Sequence, residues 1–387
     1  ALLIAFICAW PPLQALTLAC PELILTQLVL VVFISEFMDW RLLEDFRPGR
    51  GTEPETRGLY IAVVRNRWNS GVLRHTGAAA PQRYRLRSVQ ALVDVLRSAG
   101  HNVAVMEADA RLFSRLQDFI PRHALGRNSR ALVVNCAGGV QGPGRLGQVP
   151  NLCEMIGVPY TGPDPSAMAV ISDPLLQSQT LASQGLQTLT YRRPDDTSKP
   201  ATDLPGPWIV LHRFQSDREP LKANSATALT RALRRVRAGG DEPLVATAPT
   251  GRVVRVIVIG GEGPNDDPQV LPALEYRATN RRLEAAELTD TEQRALNTAV
   301  QCAFLALRCR HYARIEAWLG ADDSIGILGV RVVDLFSPRG DVATAARMAG
   351  LEFPALIQRV LGIGGHVVTT QPSALADRSP LTLYETA

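Results

Sequence analysis

Three short apolar runs with one helix-patterned stretch between the first two decide how this chain can begin to fold. "LYIAVV" (residues 59–64), "HNVAVMEAD" (101–109) and "RALVVNCAGG" (130–139) are nearly continuous apolar segments of strand length, the form expected of parallel strands covered on both faces. "RLRSVQALVDVLRSAG" (85–100) has apolar residues at helical spacing and ends on Gly100, a helix stop. Strand, helix, strand is a βαβ unit, whose ligands bind outside the carboxyl ends of the strands, where the glycines of the third run fall.

A different order follows. "LLQSQTLASQG" reads as a helix closed by Gly185; a polar loop then leads to "WIVLHRF", the helix "ATALTRALRRVRAGG", "PLVATA", the turn "PTG" and "RVVRVIVIGG". This is α+β, with antiparallel strands. Beyond it lie the helix "DTEQRALNTAVQCAFLALRC", the strand candidates "YARIEAWLG" and "IGILGVRVVDLF", and the amphipathic helix "EFPALIQRVLG". The expected division is an apolar segment at 1–46, a linker at 47–57, a βαβ domain at 58–165, a small α+β subdomain at 166–260, and a larger one with a tail at 261–387.

Composition narrows the partners. With a net charge of +4 and no basic run interleaved with aromatics, a nucleic-acid partner is not expected. The six cysteines form no CxxC pair and have no histidines at zinc-finger spacing, so buried reduced thiols in the cytoplasm or an organelle interior are expected. Lys199 and Lys222 are the only lysines among 41 basic residues, a skew that nucleotide composition explains most simply. Arginine replaces lysine on most solvated surfaces but not at every point-charge site.

Residues 1–40 contain no lysine, arginine or histidine. Their best apolar run, 23–34, is interrupted by Thr26 and Gln27, and falls short of the roughly 20 residues a bilayer span needs. A membrane anchor or targeting remnant, a segment packing on the body or a partner, and a gene-model artefact all remain open, and the absent initiator Met is expected of a fragment or processed chain.

Three ordered strings carry a resemblance. "GQVPNLCEMIGVPYTGPDP", "RHYARIEAWL" and "MAGLEFPALIQRVL" resemble segments of the ATP-grasp superfamily, in its D-alanine:D-alanine ligase-like branch, over residues 58–362. The resemblance implies an ATP-grasp fold, α/β and α+β, with an N-terminal parallel βαβ (pre-ATP-grasp) domain. It implies ATP and Mg2+ as cofactors, a small carboxylate or amino-acid substrate, and a homodimer. ATP would phosphorylate a carboxylate, and an amine would attack the acyl phosphate. The nucleotide would lie between the two α+β subdomains, where positioned charges supply most of the catalysis.

Position by position, the implied charges are largely replaced. The family's Asp-Lys falls on Asp173-Pro174, and its strand lysine on Leu211. Arg213, two residues along the same strand side, is a substitute for phosphate binding or a solvated edge residue. The adenosine-binding glutamates fall on Ala246 and Thr247, leaving Val245 as an apolar wall. Glu316 matches the first magnesium ligand, but the family's "EVN" falls on Gly329-Val330-Arg331, and Arg331 would oppose a metal and favour an ion pair with Glu316. Asp334 falls on the other strand face. At the carboxylate end Arg314 matches the arginine that contacts the transferred group, and Arg145 the basic residue before the "VP" turn, while the neighbouring glutamates are Gly138 and Leu146. The lid after "LPALEY" is shortened.

Two functions follow. One is a catalytically degenerate ATP-grasp scaffold that binds a protein partner or an anion and needs no cofactor. The alternative is an active ATP-dependent carboxylate–amine ligase with a rearranged site, in which Arg213 and Arg331 serve the phosphates and Glu316 the metal.

Overall fold

In the computed structural model the described residues are 58–67, 79–80, 84, 86–125, 128–194, 203–215, 218–261, 267–277, 282–320, 324–333, 336–362 and 368–369. The expected apolar segment and linker, and Asp334, lie outside them. Among the described residues no helix is long and apolar enough to cross a membrane.

The chain begins with β1 (Tyr60–Arg65), α1 (Leu86–Ser98), β2 (Asn102–Glu107), α2 (Leu112–Phe119), β3 (Asn128–Ser129) and β4 (Ala131–Asn135). β1 lies between β2 and β4, parallel to both, as the βαβ pattern requires. On one face Ile61, Val63, Leu132 and Val134 pack on Val89, Leu92 and Leu96 of α1. On the other, Ala62, Val64 and Val133 pack on Leu112 and Leu116 of α2. Both faces are covered, which is why the strands read as continuous apolar runs.

α3 (Gln148–Ile156) ends at Gly157, whose φ of 76° is a left-handed cap that a side chain would disfavour. α4 (Pro165–Ser172) and α5 (Pro174–Ser183) follow as consecutive helices. Each starts with a proline at its first position and an aspartate, Asp164 or Asp173, accepting a backbone N–H. Pro174 therefore keeps the helix start and carries no charge. β5 is Gln187–Thr188.

The small sheet consists of β6 (Trp208–His212), β7 (Leu221–Ala223) and β8 (Pro243–Thr247), antiparallel in the order β7-β6-β8, with α6 (Ala226–Ala238) on one face. The large sheet contains β9 (Arg252–Ile259), β10 (Gln269–Val270), β11 (Leu274–Arg277) and β12 (Arg282–Ala285), then, after α7 (Asp290–Ala306), β13 (Tyr312–Leu319) and β14 (Ile325–Arg331). Its order is β12-β11-β9-β13-β14-β5, with β10 on the end of β9. β9 pairs with β13 along its whole length, so the sheets change partners at residues 248–251. Val254, Val256 and Val258 bury one face of β9 against Leu296, Val300 and Phe304 of α7, each worth about 1.5–3 kcal/mol. α8 (Asp341–Met348), α9 (Phe353–Leu361) and β15 (Val368–Thr369), which pairs with β3, complete the described chain.

Candidate functional site

Alternation along β6 and β8 sorts the expected nucleotide-binding positions onto two faces. Val245 turns away from the large sheet and packs with Val210 and α6, and its N–H and carbonyl are both bonded to Arg192. Its side chain therefore lies on the α6 face of the small sheet. Ala246 and Leu211 face the other way. Together with Leu189, Tyr191 and Leu244 they form one apolar cluster with Trp318 and Leu328 of the large sheet. The Thr247 hydroxyl donates to the Pro205 carbonyl at 2.8 Å, and the Ala248 N–H to Pro207 at 2.7 Å. Trp318 lies across Gly326 of β14, where a Cβ would collide with the indole.

Arg213 follows β6 directly. Its Nε donates to Asp173 at 2.8 Å and its Nη1 to Glu242 at 3.1 Å. Glu242 also pairs with Arg193, and Asp173 accepts from the Leu175 N–H at 3.0 Å. Burial works against the Arg213 charge, but the hydrogen bonds and charges of Asp173 and Glu242 outweigh it and raise its pKa. The guanidinium offered for phosphates is thus committed to two carboxylates of its own chain. His212 points to the opposite face, as alternation requires, with its Nδ1 3.5 Å from Asp241. Burial lowers its pKa despite that carboxylate.

On the face of the large sheet that carries Trp318, Glu316 stands opposite Gly329 on one side and Arg255 on the other, and Arg314 stands opposite Arg331. A bulge follows Glu316 in this pairing. The Glu316 carboxylate accepts from Nε of Arg255 at 3.0 Å, while Nη1 of Arg255 reaches Asp341 of α8 at 3.1 Å. Asp341 also lies 3.5 Å from Nη1 of Arg314. These residues do not fit a magnesium ion. The single carboxylate at the expected position is already engaged by a guanidinium, a glycine faces it, and no cluster of three metal-binding side chains occurs among the described residues.

Arg145 is 1% exposed, and its Nη1 donates to the Gly138 carbonyl at 2.6 Å. It holds the glycine loop after β4. The site residues therefore fall into three groups: Arg213 with the Asp173 and Glu242 carboxylates, Arg314, Glu316 and Arg331 on the large sheet, and Arg145 within the N-terminal loop.

The turn leading into β13 fastens this sheet to the loop 160–164. Arg308 pairs with Asp164 at 2.6 Å, Arg310 donates to the Gly162 carbonyl at 2.9 Å, and the Gly162 N–H donates to Nδ1 of His311 at 3.2 Å. Burial, aided by Arg310, pushes the His311 pKa down to about 4, so the imidazole stays a neutral acceptor. The described cysteines, Cys136, Cys153, Cys302 and Cys309, are buried thiols. Burial raises Cys153 to about 12 and also raises Cys302 and Cys309, which leaves them unreactive.

Sequence reasoning missed Arg255, Asp341 and the partners of Arg213. One signal was available, because an arginine inside the apolar run of β9 requires a partner. The partners themselves are 61 and 86 residues away, beyond the reach of any spacing rule.

Comparison with known proteins agrees with this architecture. No family model matches the chain. An uncharacterized protein, y4sG, of Sinorhizobium fredii is 27% identical, over 79% of this chain and 96% of its own length. A D-alanine--D-alanine ligase of Moorella thermoacetica is 24% identical over 74% of this chain and 96% of its own, and one of Anaeromyxobacter is 26% identical over 74% and 93%. Among solved structures, D-alanine--D-alanine ligase of Bacillus anthracis complexed with ATP superposes with a TM-score of 0.59 at 16% identity, covering 78% of this chain and 95% of that one. The chain has the ATP-grasp fold and is a divergent, D-alanine--D-alanine ligase-like member of that superfamily.

Proposed function

We propose that this protein is a catalytically degenerate ATP-grasp scaffold that has kept the fold and given up nucleotide-dependent ligation. The observation that carries the reading is the apolar cluster joining the two sheets, in which Leu211 and Ala246 pack with Trp318 and Leu328. Apolar contacts of this kind hold the sheets together and offer nothing to phosphates or to the polar edge of a base. The commitment of Arg213 to Asp173 and Glu242 points the same way, because catalysis of phosphoryl transfer is mostly the supply of positioned charge. As a scaffold the chain would act through a protein partner or a second copy of itself.

A second reading, an active ATP- and Mg2+-dependent carboxylate–amine ligase with a rearranged site, draws support from an open pocket of about 450 Å³. It is lined by Arg252, Arg255, Glu275, Tyr276 and Glu316, room enough for a small carboxylate or amino acid. The two readings separate in an assay of ADP release with a panel of amino acids and small carboxylates. The scaffold reading expects no turnover above a protein-free control. ADP release that disappears in both Glu316→Ala and Arg331→Ala would sink it.

A further inference from the structure

We infer that Arg255 is a built-in replacement for the metal ion of this fold. The inference rests on the scaffold reading and deepens it, since it names what took over the charge balance when the metal ligands were lost. A divalent cation in such a site draws carboxylates from separate elements onto one positive centre. Here Glu316 of β13 and Asp341, the first residue of α8, converge on one guanidinium, at 3.0 Å and 3.1 Å. Nε and Nη1 of Arg255 each meet a different carboxylate, so the planar fork ties β13 to α8 from β9, beside the longer Arg314–Asp341 contact at 3.5 Å. Arg255 lies directly across from Glu316 in the β9–β13 pairing, which brings it to that carboxylate without any loop movement.

The surroundings suit a fixed monovalent cation better than a metal. Gly329, across from Glu316 on the other side, supplies no oxygen donor from a side chain, and Arg314 and Arg331 form the next cross-strand pair on the same face. A hard dication would meet two more guanidiniums within one pleat. A guanidinium supplied by the chain is already placed and gives up less hydration than a hard dication.

The test is Mn2+ binding without nucleotide, followed by the electron paramagnetic resonance of free Mn2+ on the full chain. The wild type is expected to take up no Mn2+ at millimolar concentration. Arg255→Ala, and Arg255→Gln should the alanine variant fail to fold, are expected to gain at least tenfold in Mn2+ affinity, and Glu316→Gln in the same background is expected to abolish the gain. Uptake by the wild type, or folded Arg255 variants no better than the wild type, would overturn the inference. Nucleotide is left out so that Mg-ATP binding, which would overturn the scaffold reading, is scored separately.

Discussion

Replacing Arg213 by alanine is expected to destabilise the fold by about 2–3 kcal/mol and to leave nucleotide binding unchanged. The side chain is 16% exposed, and its partners Asp173 and Glu242 are 9% and 28% exposed. Such a cluster lies between exposed ion pairs, worth at most about 1 kcal/mol, and buried ones, where removing one partner costs about 3–5 kcal/mol. The loss falls short of the upper limit because each stranded carboxylate keeps a second donor, the Leu175 N–H for Asp173 and Arg193 for Glu242. Urea unfolding reads the change as a lower midpoint at unchanged slope. Asp173→Asn retains the cap acceptor, so a double-mutant cycle with Arg213→Ala isolates the charge pair, with an expected coupling of about 1–2 kcal/mol. A shift below about 0.5 kcal/mol, the range of ordinary surface substitutions, together with weakened ATP binding, would show that Arg213 is held ready for a ligand and refute the reasoning.

The pH dependence of stability should carry a His311 component. Its pKa is about 4 in the folded protein and about 6.5 unfolded, so below 6.5 the unfolded chain binds the extra proton. Stability is then fully present above about pH 6.5 and falls by no more than about 3 kcal/mol as the pH drops towards 4. His311→Asn, which tolerates the φ of 52°, should flatten that limb in urea melts at stepped pH. In the apolar cluster, Trp318→Ala should cost about 2–4 kcal/mol, reduced from the fully buried value because the indole is only partly buried. Gly326→Ala should cost about 1–3 kcal/mol in the wild type by displacing the indole, and much less in the Trp318→Ala background. Additive losses would mean that the indole does not lie on Gly326.

The elements that sequence made legible are those whose cause is local. The strands β1, β2 and β4 declare themselves as apolar runs because both of their faces are covered, and Gly100, Gly185 and Gly362 end helices with a positive φ that can be expected from the residue type alone. Pro174 was readable as a helix start for the same reason. What stayed hidden is relational. Helices α2 and α8 are short, with too few turns for a periodic signal. Which face Val245 takes, toward α6, follows from the parity of β8, which depends on its pairing with β6. Arg213 was read as a free cation or a solvated one, since Asp173 and Glu242 approach it from α5 and the start of β8. The Asp341–Arg255–Glu316 bridge spans three elements and needs the fold to exist before it can be seen.

The central claim is that the chain keeps an ATP-grasp fold without its nucleotide chemistry, and isothermal titration calorimetry of Mg-ATP into the full chain tests it most directly. The account predicts no saturable heat up to millimolar ATP, and no change in unfolding midpoint with 1 mM Mg-ATP or with a chelator. A dissociation constant near 10 μM would contradict it: the titration would saturate, and ATP at a hundredfold excess over that constant would add about 2.7 kcal/mol of stability, a gain that the melt could not miss.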